Sequence, residues 1–380
     1  MKKKILIVAK VLKGHIMPFH LPTIEMLHSF GCEVHVCARN DYDKEMTSKD
    51  IPYCDKYYNL PFDRNPFKAD NLFALKKLNQ IIADNDYDII HCHTPIGATL
   101  ARIAAFLKAK SHTKVIYTAH GFHFFKGAPL LYWLVYFPVE WLLSSVTDAI
   151  ITINKEDYAT AQKYLLSKYV EYIPGVGINI EKFSSDTNIN IKEKRKELDI
   201  PAEAKLLLSI GELNKNKNHE IVIRSLAKMK NLNIHYAICG DGPLKNYLQK
   251  LANDLGISQQ VHLLGYRYDI PVILKIADAL VHPSWREGLP VTLLESMASK
   301  IPCIVSNVRG NKDLVKNNIG GYYFRPDSEE DLIKIITKLD ENKNLSSFMA
   351  DYNKELVYNY ELPVVLYLIA SVYFKLWSEN

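Results

Sequence analysis

Two Rossmann-like α/β domains are what the sequence predicts, on three observations. Short Ile-, Val- and Leu-rich runs alternate with longer helix-patterned stretches, the pattern of parallel sheets covered by helices on both faces. The series runs once through the first half of the chain and starts afresh in the second. A length of 380 residues exceeds what a single hydrophobic core usually supports and suggests about two domains.

The strands expected in the first half are Ile5 to Ala9, Glu33 to Ala38, Asp88 to His93, Lys114 to Ala119, Asp148 to Ile153 and Val170 to Pro174. Those of the second half are Leu206 to Gly211, His235 to Gly240, Val261 to Leu264, Ala279 to Pro283, Pro302 to Ser306 and Gly321 to Phe324. Pro174, Gly175 and Gly177 break the chain between the two series, and the polar stretch Ser184 to Asn190 reads as a linker. The expected domains are therefore residues 1–176 and 177–360. Residues 361–380 form a final apolar helix, expected to pack back on the first domain. Open parallel sheets bind ligands beyond the carboxyl ends of their strands, so two such domains would place a site in a central cleft.

Composition excludes several classes. Hydrophobic residues make up 48% and charged residues 23%, which is ordinary for a globular chain and unlike disordered or collagenous sequences. The net charge of +5 is too small for a nucleic-acid footprint and fits an anionic small ligand or membrane surface. Six cysteines with no C-x-x-C pair point to a reducing, cytoplasmic compartment. The run Ile5 to Val8 is too short for a signal sequence, and no stretch of about 20 apolar residues offers a membrane span.

The most informative segment begins at Ser284 and reads SWREGLPVTLLESMASKIPCIVS. Glu287 stands in a loop and Glu295 about two turns into the helix that follows, so both are expected to project toward the same side. Between them the helix N-terminus offers free backbone N–H groups within residues 289 to 292, Pro290 excepted, suited to a diphosphate. A Glu in the loop can hold sugar hydroxyls, and one on the helix a ribose diol. Gly14, His93, His120, Gly211, Gly240 and Ser284 all fall at or just after strand ends.

This segment resembles the E-x7-E motif of retaining family 4 glycosyltransferases, whose fold is the two-domain GT-B type. Further family-like segments follow one another along nearly the whole chain: Gly14 in the first loop, DIIHCHTP, YTAHGFHF, ITINKEDY, PGVGIN, SIGELNKNKNH, ICGDGPL, LLGYRYDI and VHPSWREGLP. The wording of several is similar to bacterial capsular and exopolysaccharide enzymes of the CapM type. The resemblance implies a UDP-sugar donor, an N-acetylhexosamine by preference, and a polyprenyl-diphosphate-linked saccharide as acceptor. It implies no metal and no further cofactor. Its place would be the inner face of the cell membrane.

Residue by residue, the resemblance assigns Lys217 to the donor phosphates, Glu287 and Glu295 to sugar and ribose, and His120 to the donor sugar. Gly14, Gly211, Gly240, Gly288, Leu289, Pro290 and Val291 would lie close to the donor, with Tyr266 and Arg267 at the nucleotide base. The family usually carries an arginine where this chain has Glu212, so Lys215, Arg267 or Arg286 would have to supply that charge. His93, Phe122, His123 and Asn154 are candidates for the acceptor side. His91 and His93 point to one face of a strand and, with His120 and His123, look superficially like a metal site; no carboxylate sits in a matching pattern, and no metal is expected. Phe122 to Val146 carries eight aromatics and one acid, Glu140, so it reads either as core or as a membrane-facing helix in which Trp133 and Phe137 would meet lipid. A UDP-N-acetylhexosamine 2-epimerase of the same architecture and a non-catalytic sugar-nucleotide binder are the alternatives.

Overall fold

The computed structural model describes residues 2–184 and 190–379, with the side chains of 343–346 left out. The expected linker therefore lies, from 185 to 189, outside the described residues. The chain divides into two compact units, Met1–Gly177 with Leu362–Asn380, and Ile178–Glu361.

The first unit holds a seven-stranded, all-parallel sheet in the order β3-β2-β1-β4-β5-β6-β7. Its strands are β1 (Lys4–Val11), β2 (Glu33–Arg39), β3 (Lys56–Asn59), β4 (Ile89–His93), β5 (Lys114–Ala119), β6 (Ala149–Thr152) and β7 (Tyr169–Tyr172). The central strands are buried along their whole length, because helices cover both faces and no position can remain polar-out. β3 was not anticipated: it is a short edge strand of sequence KYYN, half exposed, and so carries no apolar run to read. Leu362–Trp377 is a helix of this unit, with Val365, Val372, Tyr373 and Leu376 in the core under β1 and β4. Tyr373 hydroxyl to His91 Nδ1, at 2.7 Å, ties it across 282 positions of sequence.

The second unit holds a six-stranded parallel sheet in the order β10-β9-β8-β11-β12-β13. These strands are β8 (Lys205–Ile210), β9 (Ile234–Cys239), β10 (Val261–Gly265), β11 (Ala279–His282), β12 (Cys303–Ser306) and β13 (Gly321–Phe324). In each sheet the order reverses beside the first strand of its series, between β1 and β4 and between β8 and β11, where a crevice opens beyond the strand ends. All twelve strands expected from sequence are present, displaced at their ends by a residue or two.

Candidate active site

In the second unit the crevice is built from two loops. After β8, Asn214 caps a single 3-10 turn, Lys215–Lys217, its Oδ1 accepting the Lys217 N–H at 3.0 Å. After β11, Ser284 to Pro290 leads into the helix Val291–Ala298. The loops are latched to each other: the Trp285 N–H donates to the Asn216 carbonyl at 2.8 Å, and Asn216 Nδ2 donates to the Arg286 carbonyl at 3.0 Å. This latch brings together two residues seventy positions apart, and Lys217 Nζ lies 2.7 Å from Glu287 Oε1.

His282, the last residue of β11, reaches the same oxygen, with Nε2 at 3.0 Å. Burial by itself would raise the Glu287 carboxyl, but the Lys217 charge and the His282 contact outweigh it and hold the group well below the usual carboxylate range. Glu287 is thus a fixed anion at neutral pH. Glu295 is the opposite case: half-buried and distant from cations other than Lys182, it is pushed by burial up to about 7. The sequence put both glutamates in one motif, and their surroundings give them different charge states.

Glycine is required behind this site for space. A Cβ on Gly240 would stand 1.9 Å from the Gly211 carbonyl oxygen, and one on Gly211 3.2 Å from Lys217 Cε, so the β8 and β9 ends and the lysine stem stack without side chains between them. Gly310, at φ +75°, would put a Cβ 2.3 Å from the Gly288 carbonyl oxygen. Neither Gly310 nor His282 was identified from sequence. A histidine ending a strand carries no motif of its own, and the approach of residues 288 and 310 exists only in the fold.

Of the three cations offered as substitutes for the family arginine, Arg267 is already committed. It grips Asp269 with two hydrogen bonds, at 2.8 and 2.7 Å, and lies 3.6 Å from Glu197. Arg286 makes no ion pair among the described residues, and Lys215 is exposed. Glu212 itself is exposed and accepts a bond from Asn214. Tyr266 is 71% exposed and meets the Tyr268 ring in a T-shaped contact at 5.1 Å.

The first unit contributes a histidine cluster where β4 and β5 end. His20 and His93 stack at 3.8 Å between centroids, His15 lies 4.8 Å from His20 and 4.9 Å from His120, and His120 Nε2 is 3.3 Å from His93 Nδ1. Burial keeps every one of these imidazoles neutral, with His120 down to about 4. A space of about 20 Å³, the room of one water, opens beside His20, His93 and His120. His15, His20 and His120 bring ligand atoms within 4.8 Å of one another, so the cluster contains the spacing of a metal site, although with a different set of histidines from the one the sequence suggested.

Two segments of the chain match known family models, Glycosyl transferase 4-like over residues 4–154 and Glycosyl transferases group 1 over 190–356. The chain is 30% identical over 307 residues to the UDP-Gal:alpha-D-GlcNAc-diphosphoundecaprenol alpha-1,3-galactosyltransferase of Escherichia coli, covering 79% of this chain and 78% of that one. The chain belongs to the family 4, group 1 glycosyltransferases. This glycosyltransferase is also 38% identical over 328 residues to EpsD of Bacillus subtilis (strain 168), over 86% of its own length and 84% of that protein's. In fold it is similar to Anabaena HepE, solved in complex with UDP and glucose, with a TM-score of 0.81, 18% identity, and 98% and 100% of the two chains covered. The GT-B architecture expected from the motifs is therefore the architecture of this glycosyltransferase.

Several residues expected on the acceptor side of the glycosyltransferase are otherwise engaged. Phe122 is 2% exposed and stacks on Phe124 at 4.7 Å in the core, so it is closed to a ligand. Asn154 is fully buried and caps the helix Lys155–Tyr164, its Oδ1 accepting the Asp157 N–H at 2.8 Å and its Nδ2 donating to Asp157 at 2.8 Å. Both are corrections, and in both the sequence showed a polar or aromatic residue after a strand without showing which way it turns. His123 stacks on Tyr136 at 4.5 Å, and the Gly14 N–H is taken by Asp41 at 3.0 Å.

The aromatic segment resolves into the helix Leu130–Ser144 with two unlike faces. Trp133 and Phe137 turn inward onto Phe124, each at 5.4 Å, so for these two residues the core reading holds and not the lipid-facing one. Leu130, Leu131, Leu134 and Leu142 turn outward and are 63% to 73% exposed. Glu140, the single acid, is buried against Arg102 at 2.8 Å, with the guanidinium 4.1 Å above the Tyr117 ring. No helix is long and apolar enough to cross a membrane among the described residues.

Proposed function

We propose that this glycosyltransferase moves a sugar from a UDP-sugar to a polyprenyl-diphosphate-linked saccharide with retention of configuration and without a metal, in the making of a capsular or exopolysaccharide. The observation that carries the reading is the Lys217–Glu287 pair, at 2.7 Å in a crevice beyond the β8 and β11 ends. An ammonium and the N–H groups opening the helix Val291–Ala298 supply what a departing diphosphate needs in place of a metal. Arg286 and Lys215 are the cations left to take the part of the family's arginine. Support for the substrates comes from the relatives. The Escherichia coli enzyme is named for a UDP-Gal donor and a diphosphoundecaprenol acceptor, and a Campylobacter jejuni relative, 32% identical over 44% of this chain, for adding N-acetylgalactosamine to a PP-undecaprenol-linked saccharide.

In this scheme Glu287, a fixed anion, accepts from donor-sugar hydroxyls, and Glu295 accepts from the ribose diol. The acceptor hydroxyl forms its bond to the anomeric carbon on the side from which the UDP leaves, the sugar–phosphate bond breaks, and a phosphate oxygen of the departing UDP takes the hydroxyl proton. The protein mainly positions and stabilises charge. His120, partly exposed and neutral through burial, offers a hydrogen bond to a hydroxyl group without repelling a cationic transition state, with the buried His93 behind it at 3.3 Å. The outward leucines of Leu130–Ser144 give a face suited to the membrane that carries the acceptor, on the cytoplasmic side.

A panel of UDP-sugars offered with a lipid-diphosphate-linked GlcNAc acceptor, followed by anomeric analysis of the product, tests the reading. A product of the donor's own anomeric configuration, formed equally in EDTA, is expected. An inverted product, loss of transfer on chelation, or epimerised UDP-sugar formed without acceptor would each overturn it.

A further inference from the structure

His282 has no part in the scheme above, yet it is the most deeply placed group in contact with Glu287. It is 2% exposed and ends β11, whose backbone is paired with β12 at His282 and with β8 two residues earlier. The imidazole is therefore carried by the sheet itself, while Lys217 reaches Glu287 on a flexible stem from a one-turn loop. Two polar groups lie against its Nε2, Glu287 Oε1 at 3.0 Å and Ser284 Oγ at 3.4 Å, and the Lys217 ammonium binds the same Glu287 oxygen. Because both donors converge on Oε1, Glu287 Oε2 is the oxygen left for a ligand.

That arrangement has a consequence when a donor arrives. A diphosphate competes for Lys217, and a carboxylate released by its lysine would be free to rotate in a buried site. We propose that His282 is a positioning residue, whose Nε2–H holds Glu287 Oε1 so that Oε2 stays aimed at the donor sugar when Lys217 turns to the diphosphate. The inference rests on the donor reading given above. It requires the Nε2–H tautomer, because only a protonated Nε2 can donate to a carboxylate. Burial favours the neutral ring over imidazolium, against the pull of Glu287.

Steady-state kinetics on purified full-length variants test it. His282→Gln keeps an amide N–H near the Nε2 position and His282→Leu keeps bulk without a donor. The Leu variant is expected to lower kcat/KM for the donor about 10- to 100-fold, the cost of a misplaced contact at the reacting sugar. The Gln variant is expected to restore it to within about threefold of the parent enzyme. In a Glu287→Gln background, His282→Leu should add less than about threefold, because the two residues act as one unit. Equal losses in the Leu and Gln variants, or a full additional loss in the Glu287→Gln background, would overturn the proposal and leave His282 a packing residue. If the Leu variant does not fold, His282→Asn, whose amide stops short of the Nε2 position, takes its place in the same comparison. The tautomer is read separately by nitrogen NMR on histidine-labelled protein without substrate, using His282→Gln to assign the signal. An Nδ1–H ring there would refute the proposal whether or not the transfer reading stands, and an Nε2–H ring in an enzyme that transfers nothing would locate the failure in the transfer reading.

Discussion

Replacing Lys217 by Met removes a charge while keeping most of the stem that lies over Gly211, and the structure sets the size of the effect. At 2.7 Å and an effective dielectric of about 20, the Lys217–Glu287 attraction is about 6 kcal/mol. Desolvation of both groups offsets much of that. The cost of leaving Glu287 without its cation is nevertheless about 3 kcal/mol, the lower end for a broken buried pair, because the side chains keep 22% and 12% of their exposure. The pH dependence follows with a definite sign. The folded carboxyl of Glu287 lies below its unfolded value of 4.5, so its contribution to stability is present above that value and is lost as pH falls through the folded one. Without Lys217, burial raises the carboxyl instead, so the difference in stability between parent and Lys217→Met is largest near neutrality and narrows as the pH is lowered toward about 3. Urea unfolding across that range measures it. Transfer by the same variant should fall about 100- to 1,000-fold from loss of charge stabilisation on the departing diphosphate. A variant with unchanged stability at neutral pH and near-normal turnover would refute the reasoning.

Four further outcomes are expected. Glu295, at about 7 in the folded protein against 4.5 unfolded, lowers stability as pH rises between those values, so Glu295→Gln should be the more stable protein at pH 8 and indistinguishable at pH 4. The same titration should lower the donor KM of the parent enzyme between pH 6 and 8, and the Gln variant should lose that slope. Leu131→Glu with Leu134→Glu should weaken binding to anionic vesicles while changing stability by less than about 0.5 kcal/mol, because both leucines are already exposed; unchanged vesicle binding would remove the membrane face from the proposal. Gly240→Ala should cost roughly 2–4 kcal/mol in thermal or urea unfolding, since its methyl would meet the Gly211 carbonyl, and an unperturbed melt would show that the β8 and β9 ends can part.

Twelve of the strands and their division into two series were legible in the sequence, as was the pair of motif glutamates. Buried parallel strands must be apolar on both faces, Glu287 and Glu295 are legible from their spacing around a helix entry, and Lys217 is assigned through the family resemblance. The sequence could not show β3, because an edge strand of KYYN has no apolar run. It also could not distinguish the two faces of Leu130–Ser144, where aromatic and aliphatic positions alternate too densely for periodicity to separate them. The charge states of the two motif glutamates come from the fold, since Glu287 is held ionised by Lys217, brought from seventy residues away, and Glu295 is pushed up by burial. Tertiary structure alone turned Phe122 and Asn154 inward, committed Arg267 to Asp269, and placed His282 against Glu287. Each of these depends on the direction a side chain takes from a fixed backbone, and that direction is set by packing between segments distant in sequence.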